Sequence, residues 1–337
     1  MLVLARLAGA TTCAWFVQAS NSLTMDLENS TARQHELVEQ GDRMLEEPSQ
    51  AVLDEIHDHL VYVLKEKLQW PDAANPEMAM GSGHVVIRFE RAGERYVFRV
   101  AKHGLQQHKR SMLAYRLVGA LGMMPEKVYH DGICLLERHV DGAPITPRLT
   151  DAVLLHLATQ LGRLHAMPAQ GFGRLEFDTQ GTFANASAYY KAQAKVDLDW
   201  SEVDLSDAQI AELNAAVLDA NAVPQAVLHA PVQLGHGDLW RNNIFVTDTD
   251  FKILDWDHIG AYPIERDLAF LLALGLSAAQ RALFFAHYAH ASAVNPDVWC
   301  WFAKRHVLRD RGMRLDQKLS AIRSMEGMTG AALMGAA

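Results

Sequence analysis

The hydrophobic patterning of this 337-residue chain predicts a two-lobed α+β fold, with a small antiparallel sheet lobe followed by a larger, mainly helical lobe. Three observations carry that expectation. Runs over 78–100 and 127–137 alternate with a period of two. Apolar residues over 52–64, 150–164 and 205–218 recur at three- and four-residue steps. One pair of short apolar runs, 244–246 and 251–254, interrupts the helical half as a hairpin.

From the N-terminus, residues 31–68 read as helical, with Val52, Ile56, Leu60, Val63 and Leu64 along one face. His57 and His59 are two apart, do not face each other on a helix, and are expected in solvent. Pro71 and Pro76 close this region. Three strands follow over 78–100, with Gly81-Ser82-Gly83 turning after the first and Ala92-Gly93 after the second. A glycine turn of this kind lets backbone N–H groups approach phosphate. A helix over 106–121 comes next, then strands at Lys127–His130 and Ile133–Glu137 around Asp131-Gly132. Thr150 caps a helix carrying Val153, Leu154, Leu157, Leu161 and Leu164. Ser206 and Gln209 have capping-box spacing, with Leu205 and Ile210 as a staple; that helix is expected to bury Ile210, Leu213, Val217 and Leu218. Ser277 and Gln280 start another helix, on which His287 and His290 are expected as a packed or half-exposed pair. Trp299, Trp301 and Phe302 belong in the helical core, and Met328 to Ala337 is expected to fray.

Composition narrows the function. A net charge of −9 and a pI near 6.0 lack the basic footprint of a nucleic-acid binder. The three cysteines (Cys13, Cys134, Cys300) form no C-x-x-C pair, which excludes a disulfide framework or zinc site and suits a reducing cytoplasm. No apolar run reaches about eighteen residues, so no membrane span is expected. Residues 1–25 only weakly resemble a signal peptide: the basic region is Arg6 alone and Thr11-Thr12 breaks the apolar run. They read as a non-functional leader or extension, with Met25 as an alternative start.

The chemistry concentrates in His236-Gly237-Asp238-Leu239-Trp240-Arg241-Asn242-Asn243 and the hairpin that follows it, ending Leu254-Asp255-Trp256-Asp257. Asn243 follows Asp238 by five residues and Asp255 by seventeen. A hairpin brings its ends together, so Asn243 and Asp255 should be neighbours. An amide oxygen beside a carboxylate makes a hard-oxygen site suited to magnesium held against phosphates. Asp238, on the loop before, is then free to take a proton from a hydroxyl. A base for the nucleophile and two metal ligands is the layout of a phosphoryl-transfer centre.

The order H-G-D-x-x-x-x-N, strand, then D-W resembles the small-molecule kinase family of aminoglycoside phosphotransferases, choline kinases and fructosamine kinases, relatives of the protein kinases. The resemblance covers roughly 76–275 and implies a protein-kinase-like fold, ATP and magnesium. It implies Asp238 as the base, Asn243 and Asp255 as metal ligands, and Asp257 as an outer or substrate-facing acid. Arg241 would reach the moving phosphoryl group, and His236 and Asp267 would brace the loop. Gly81, Ser82 and Gly83 would cover the nucleotide, Arg99 (with Lys102 as runner-up) would hold its phosphates, and Glu137, Arg138 and His139 would form the hinge that meets adenine. Residues 26–139 would then be the nucleotide lobe and 140–337 the catalytic lobe. One departure stands out: no acid occurs between Lys102 and Gly122 to pair with the strand cation, where the family carries a helix glutamate.

From Val196 to Ala220 run seven acids and no lysine or arginine: Asp197, Asp199, Glu202, Asp204, Asp207, Glu212 and Asp219. Lining a pocket, with Trp200 as a cation–π face, they would draw a cationic acceptor; on a helix surface they would merely be solvated. The leading expectation is an aminoglycoside-phosphotransferase-like kinase, cytoplasmic, acting on a small hydroxyl acceptor, with no nucleic-acid or membrane partner. The alternatives are a choline- or fructosamine-type metabolic kinase and a nucleotide-binding pseudokinase.

Overall fold

The computed structural model describes residues 48–325 apart from 82, 103–104, 199–204, 249 and 311. The leader, the helical expectation for 31–47, Ser82 of the glycine turn, and the C-terminal tail lie outside the described residues. Two compact units are present: one comprises the chain up to Met112 with Pro125–His139, the other Leu113–Met124 and Val140 onward.

In the first unit, helix α1 (Gln50–Tyr62) runs into one π-helical turn, Val63–Lys67. Ile56, Leu60, Val63 and Leu64 are buried on its expected face against Val85, Ile87 and Phe98 of the sheet. His57 is exposed, but His59 is not in solvent as expected. Its Nε2 lies 3.0 Å from Asp131 Oδ2, because the helix packs over the turn that carries that acid. The sheet holds β1 (Ala74–Met80), β2 (His84–Arg91), β3 (Glu94–Ala101), β4 (Lys127–His130) and β5 (Cys134–Arg138), in the antiparallel order β1-β2-β3-β5-β4. Pro76 does not end a helix. It sits in β1 where the register to β2 shifts, and an edge strand with a bulge tolerates the missing N–H. Helix α2 (Leu105–Val118) follows β3.

The second unit is less purely helical than its sequence suggests. Between its helices lie β6 (Ala143–Pro144), β7 (Phe172–Phe177), β8 (Gln180–Phe183), β9 (Gln233–Gly235), β10 (Ile244–Val246), β11 (Phe251–Ile253) and β12 (Gly260–Tyr262). They form two small sheets, β11-β10-β6 and β8-β7-β12-β9. The loop that carries Asp238 leaves β9 and enters β10, so both ends of that loop are fixed in sheet.

Helix α3 (Asp151–His165) starts where Thr150 Oγ1 accepts from Val153 N, and buries Leu154, Leu157, Leu161 and Leu164. Helix α4 (Ala186–Ala192) precedes the acidic run. Helix α5 (Asp207–Asn221) has the full capping box of Ser206 and Gln209. Its buried stripe is Leu213, Ala216 and Ala220, while Leu218 is 72% exposed, contrary to expectation. The two alanines let α5 lie close to its neighbours, which rotates the larger Leu218 outward. Leu213→Ala should therefore cost about 2–5 kcal/mol, and Leu218→Ala no more than about 0.5 kcal/mol, as read by urea denaturation. Helix α6 (Ile264–Leu268) is followed by α7 (Ala278–His287), capped by Ser277 and Gln280. His287 bonds its own helix at Leu283 O and His290 meets Gly162 O, so the two do not share a ligand. Helix α8 (Pro296–Arg309) buries Trp299, Trp301 and Phe302, and α9 (Leu315–Met325) closes the described chain.

Candidate active site

The hairpin does what its sequence predicts. Ile244 pairs with Ile253 and Val246 with Phe251, across a turn closed by Thr247 and Asp250. At its open end Leu254 N donates to Asn243 O (2.8 Å), which sets Asn243 one residue from Asp255 across the ladder. The Asn243 side-chain nitrogen donates to Asp238 O (3.0 Å). That bond commits the amide's nitrogen and leaves its oxygen for another partner.

Asp255 adopts a left-handed backbone (φ 60°, ψ 62°), a strained choice for a non-glycine residue that turns the chain sharply out of β11. The turn brings Asp257 back, so that carboxylate oxygens of Asp255 and Asp257 lie within 4.8 Å of one another. Asp257 is nearly buried, at 6% exposure. Two carboxylates this close repel unless a cation shares them. With the Asn243 oxygen they could serve as hard-oxygen ligands of magnesium.

The loop itself hangs from one buried acid. Asp267, on α6, accepts from His236 N (2.6 Å), Gly237 N (2.8 Å) and His165 Nε2 (3.2 Å). Burial alone would raise its pKa, but His165, His236 and the Gly237 N–H hold the carboxyl below its usual range. His165 is in turn set by Tyr288, whose hydroxyl lies 2.7 Å from Nδ1. His236 donates from Nε2 to Leu254 O (3.0 Å), and its Nδ1 accepts from Asp238 N (3.3 Å). One imidazole thus ties the Asp238 loop to the hairpin. Gly237 has φ 80°, and a Cβ there would strike His258 O and the Tyr262 ring, so only glycine fits. Asp238 Oδ1 accepts from Trp240 Nε1 (3.0 Å), and Asp238 lines the adjoining cleft. Arg241 turns instead to Asp310, 3.4 Å away.

In the first unit, Arg99 and Glu137 face each other across β3 and β5: Arg99 Nε stands 2.7 Å from Oε2, and Nη2 donates to Oε1 at 3.1 Å. The acid absent from α2 is therefore present on the neighbouring strand, at a residue whose side chain carried no role in the sequence reading. Arg138 and His139 give their N–H groups to Glu126 O and Arg95 O, and the Arg138 side chain pairs with Glu94 and Glu126. Gly81 N donates to His84 O and closes the glycine turn.

The model of the phosphotransferase enzyme family matches residues 79–302, more than half of the sequence. The chain belongs to that family. Solved structures share the fold of this phosphotransferase. A thermostable mutant of aminoglycoside phosphotransferase APH(4)-Ia is 16% identical, with TM-score 0.55 over 80% of this chain and 99% of its own. Spectinomycin phosphotransferase APH(9)-Ia, solved with ADP and spectinomycin, is 13% identical, with TM-score 0.53 over 82% and 97%. Choline kinase LicA from Streptococcus pneumoniae is 12% identical, with TM-score 0.51 over 82% and 95%. At such identities the likeness speaks to the fold, which is bilobal and protein-kinase-like. No curated protein matches the sequence.

The cleft beside Asp238 lies wholly within the second unit of this phosphotransferase, and sequence reasoning missed most of its lining. Tyr189, Tyr190 and Gln193 come from α4 and just beyond, Arg266 from α6, and Phe302, Arg305, His306 and Arg309 from α8. The available signal was Arg305, a charge at the spacing of Val298 and Phe302 on the apolar face of α8. None of the described acids of the 196–220 run lines the cleft. Glu212 makes a bidentate pair with Arg323 (2.8 and 2.6 Å), and Asp219 pairs with Lys304 (2.7 Å).

Proposed function

We propose that this chain transfers the γ-phosphoryl group of ATP, with magnesium, to a hydroxyl of a small molecule. The observation that carries the reading is the joint anchoring of Asp238, Asn243 and Asp255 by a single hairpin and the buried Asp267. Asp238 takes the acceptor's proton as the acceptor oxygen bonds to phosphorus. The bond from phosphorus to the bridging oxygen breaks, and ADP departs with that electron pair. Asn243 and Asp255, with Asp257 beside them, would hold magnesium, which would supply neutralisation of the phosphate charge. Arg99, steadied by Glu137, holds phosphate, the glycine turn at Gly81 and Gly83 covers it, and the backbone of Glu137, Arg138 and His139 meets adenine. Residues 26–139 serve the nucleotide and 140–337 the chemistry. The site needs cytoplasmic ATP, and among the described residues no helix is long and apolar enough to cross a membrane.

A choline- or fructosamine-type metabolic kinase is the runner-up within this reading. A pseudokinase finds less support, because the chain carries a candidate base in Asp238 and candidate metal ligands in Asn243 and Asp255, and Glu137 offers Arg99 the acid that α2 lacks. The aminoglycoside kinases among the fold relatives favour a cationic acceptor by kinship alone, whereas the lining of the cleft favours the opposite charge. The test is ADP release by purified protein across hydroxylated small molecules, with and without magnesium. Release that needs both acceptor and magnesium is expected. Tight ADP binding with no release for any acceptor would favour the pseudokinase.

A further inference from the structure

Charges taken out of water need partners, because burying an ion without one costs several kcal/mol. Among the described residues, two guanidinium groups in the cleft beside Asp238 have no carboxylate partner. Arg305, 9% exposed, donates to Ala220 O (2.6 Å) and lies over the Trp301 ring (4.9 Å). Arg266 donates to Gly237 O and to the Tyr189 hydroxyl, both at 2.7 Å, and lies over the Tyr262 ring. Arg309 stands at the exposed end of α8 and donates to Ala194 O. Burial, then the charge of Arg309, bring the Arg305 guanidinium down to about 10, and the charge of Arg266 adds to the same effect.

Two further polar atoms in the same cleft have no partner. The Tyr190 hydroxyl and His306 Nε2 are fully buried and accept or donate nothing. His306 stacks on Trp240, the residue that bonds the base, and burial followed by the charges of Arg266 and Arg241 drops it to about 3, so it stays neutral. A phenol O–H, a neutral imidazole and two guanidiniums form a donor-rich wall. Among the described residues Asp238 is the one acid that lines the cleft.

We propose that the acceptor of this kinase carries an anionic group, a carboxylate or a phosphate or sulfate ester, bound by Arg305 and Arg266 with Tyr190 and His306 while its hydroxyl faces Asp238. This inference rests on Asp238 being the base. The anion answers both the uncompensated cations and the unpartnered donors. A cationic acceptor would answer neither and would meet Arg305 and Arg309 with like charge.

The test is calorimetry on full-length protein saturated with magnesium and ADP. The probes are D-gluconate, D-glucose and D-glucosamine, which share a hydroxylated skeleton but differ in charge, and inorganic sulfate as the anion without a skeleton. Gluconate or sulfate should bind more tightly than glucose, and glucosamine weakest. Added salt should weaken the anions. Arg305→Gln should raise the anion Kd at least ~10-fold, the worth of one charged hydrogen bond. Arg309→Gln, at an exposed position, should raise it severalfold without touching the buried packing. Glucosamine or glucose binding as tightly as the anions would overturn the inference. So would undetectable binding of both anions, or anion binding indifferent to both substitutions. ADP release from ATP is read in parallel. Anion binding with no phosphoryl transfer to any acceptor strikes the kinase reading alone, whereas transfer to glucosamine but not gluconate strikes the anionic acceptor alone.

Discussion

Asp238→Asn is expected to lower phosphoryl transfer by ~10²–10⁴-fold, the usual worth of a positioned base, while ATP binding stays within about twofold of the parent, since nucleotide is held by other groups. The asparagine keeps the oxygen that Trp240 Nε1 bonds, so the loop should not shift. The main-chain bonds to His236 Nδ1 and from Asn243 are untouched by the change. What disappears is the capacity to take a proton. Single-turnover transfer and nucleotide titration on the same preparation separate the two effects. Parent-like turnover would remove Asp238 from the mechanism.

Asp255→Asn is expected to cost at least ~10²-fold in turnover, comparable to losing a main electrostatic stabiliser of the transferring group, and to raise the magnesium needed for half-maximal rate. Asparagine is the informative replacement, because it tolerates the left-handed backbone that Asp255 adopts at φ 60°. A loss can then be assigned to charge rather than to a disturbed turn. Asp257→Asn should retain measurable magnesium-dependent transfer, since Asp255 and Asn243 still face the ion. Magnesium titrations of the two variants decide between them. If Asp257→Asn proves the more damaging, the ligand is the buried acid and Asp255 is its neighbour.

The hairpin that joins the candidate site residues was legible because its pairing is local. Asp238, Asn243 and Asp255 fall within eighteen residues, and a hairpin needs only short-range pairing to join its ends. Most of the sheet of the first unit was legible for the same reason, since β1, β2 and β3 pair in sequence and β4 pairs with the β5 that follows it. Contacts made far along the chain were hidden. Glu137 lies 38 residues after Arg99, and only the adjacency of β3 and β5 reveals the pair. The cleft wall combines Tyr190, Arg266 and Arg305, whose shared face depends on how α4, α6 and α8 pack. Strands β7 and β8 were missed because glycines and register shifts at Phe172, Leu175 and Phe177 blur their alternation. Leu218 misled because periodicity cannot weigh a leucine against the alanines that let α5 approach its neighbours.

The Arg99–Glu137 pair has a consequence for control. Where a strand cation is matched by an acid on a separate helix, swinging that helix can make or break the match, and the enzyme gains an on–off device. Here both partners ride on strands bound to each other along five residue pairs, Tyr96 to Val100 against Cys134 to Arg138. No rigid-body displacement can part them without tearing the sheet. The Arg99–Glu137 pair is set when the sheet forms, so swinging a helix would not make or break it. The enzyme's output should follow the supply of acceptor and nucleotide, as befits a catalyst that runs whenever it is fed.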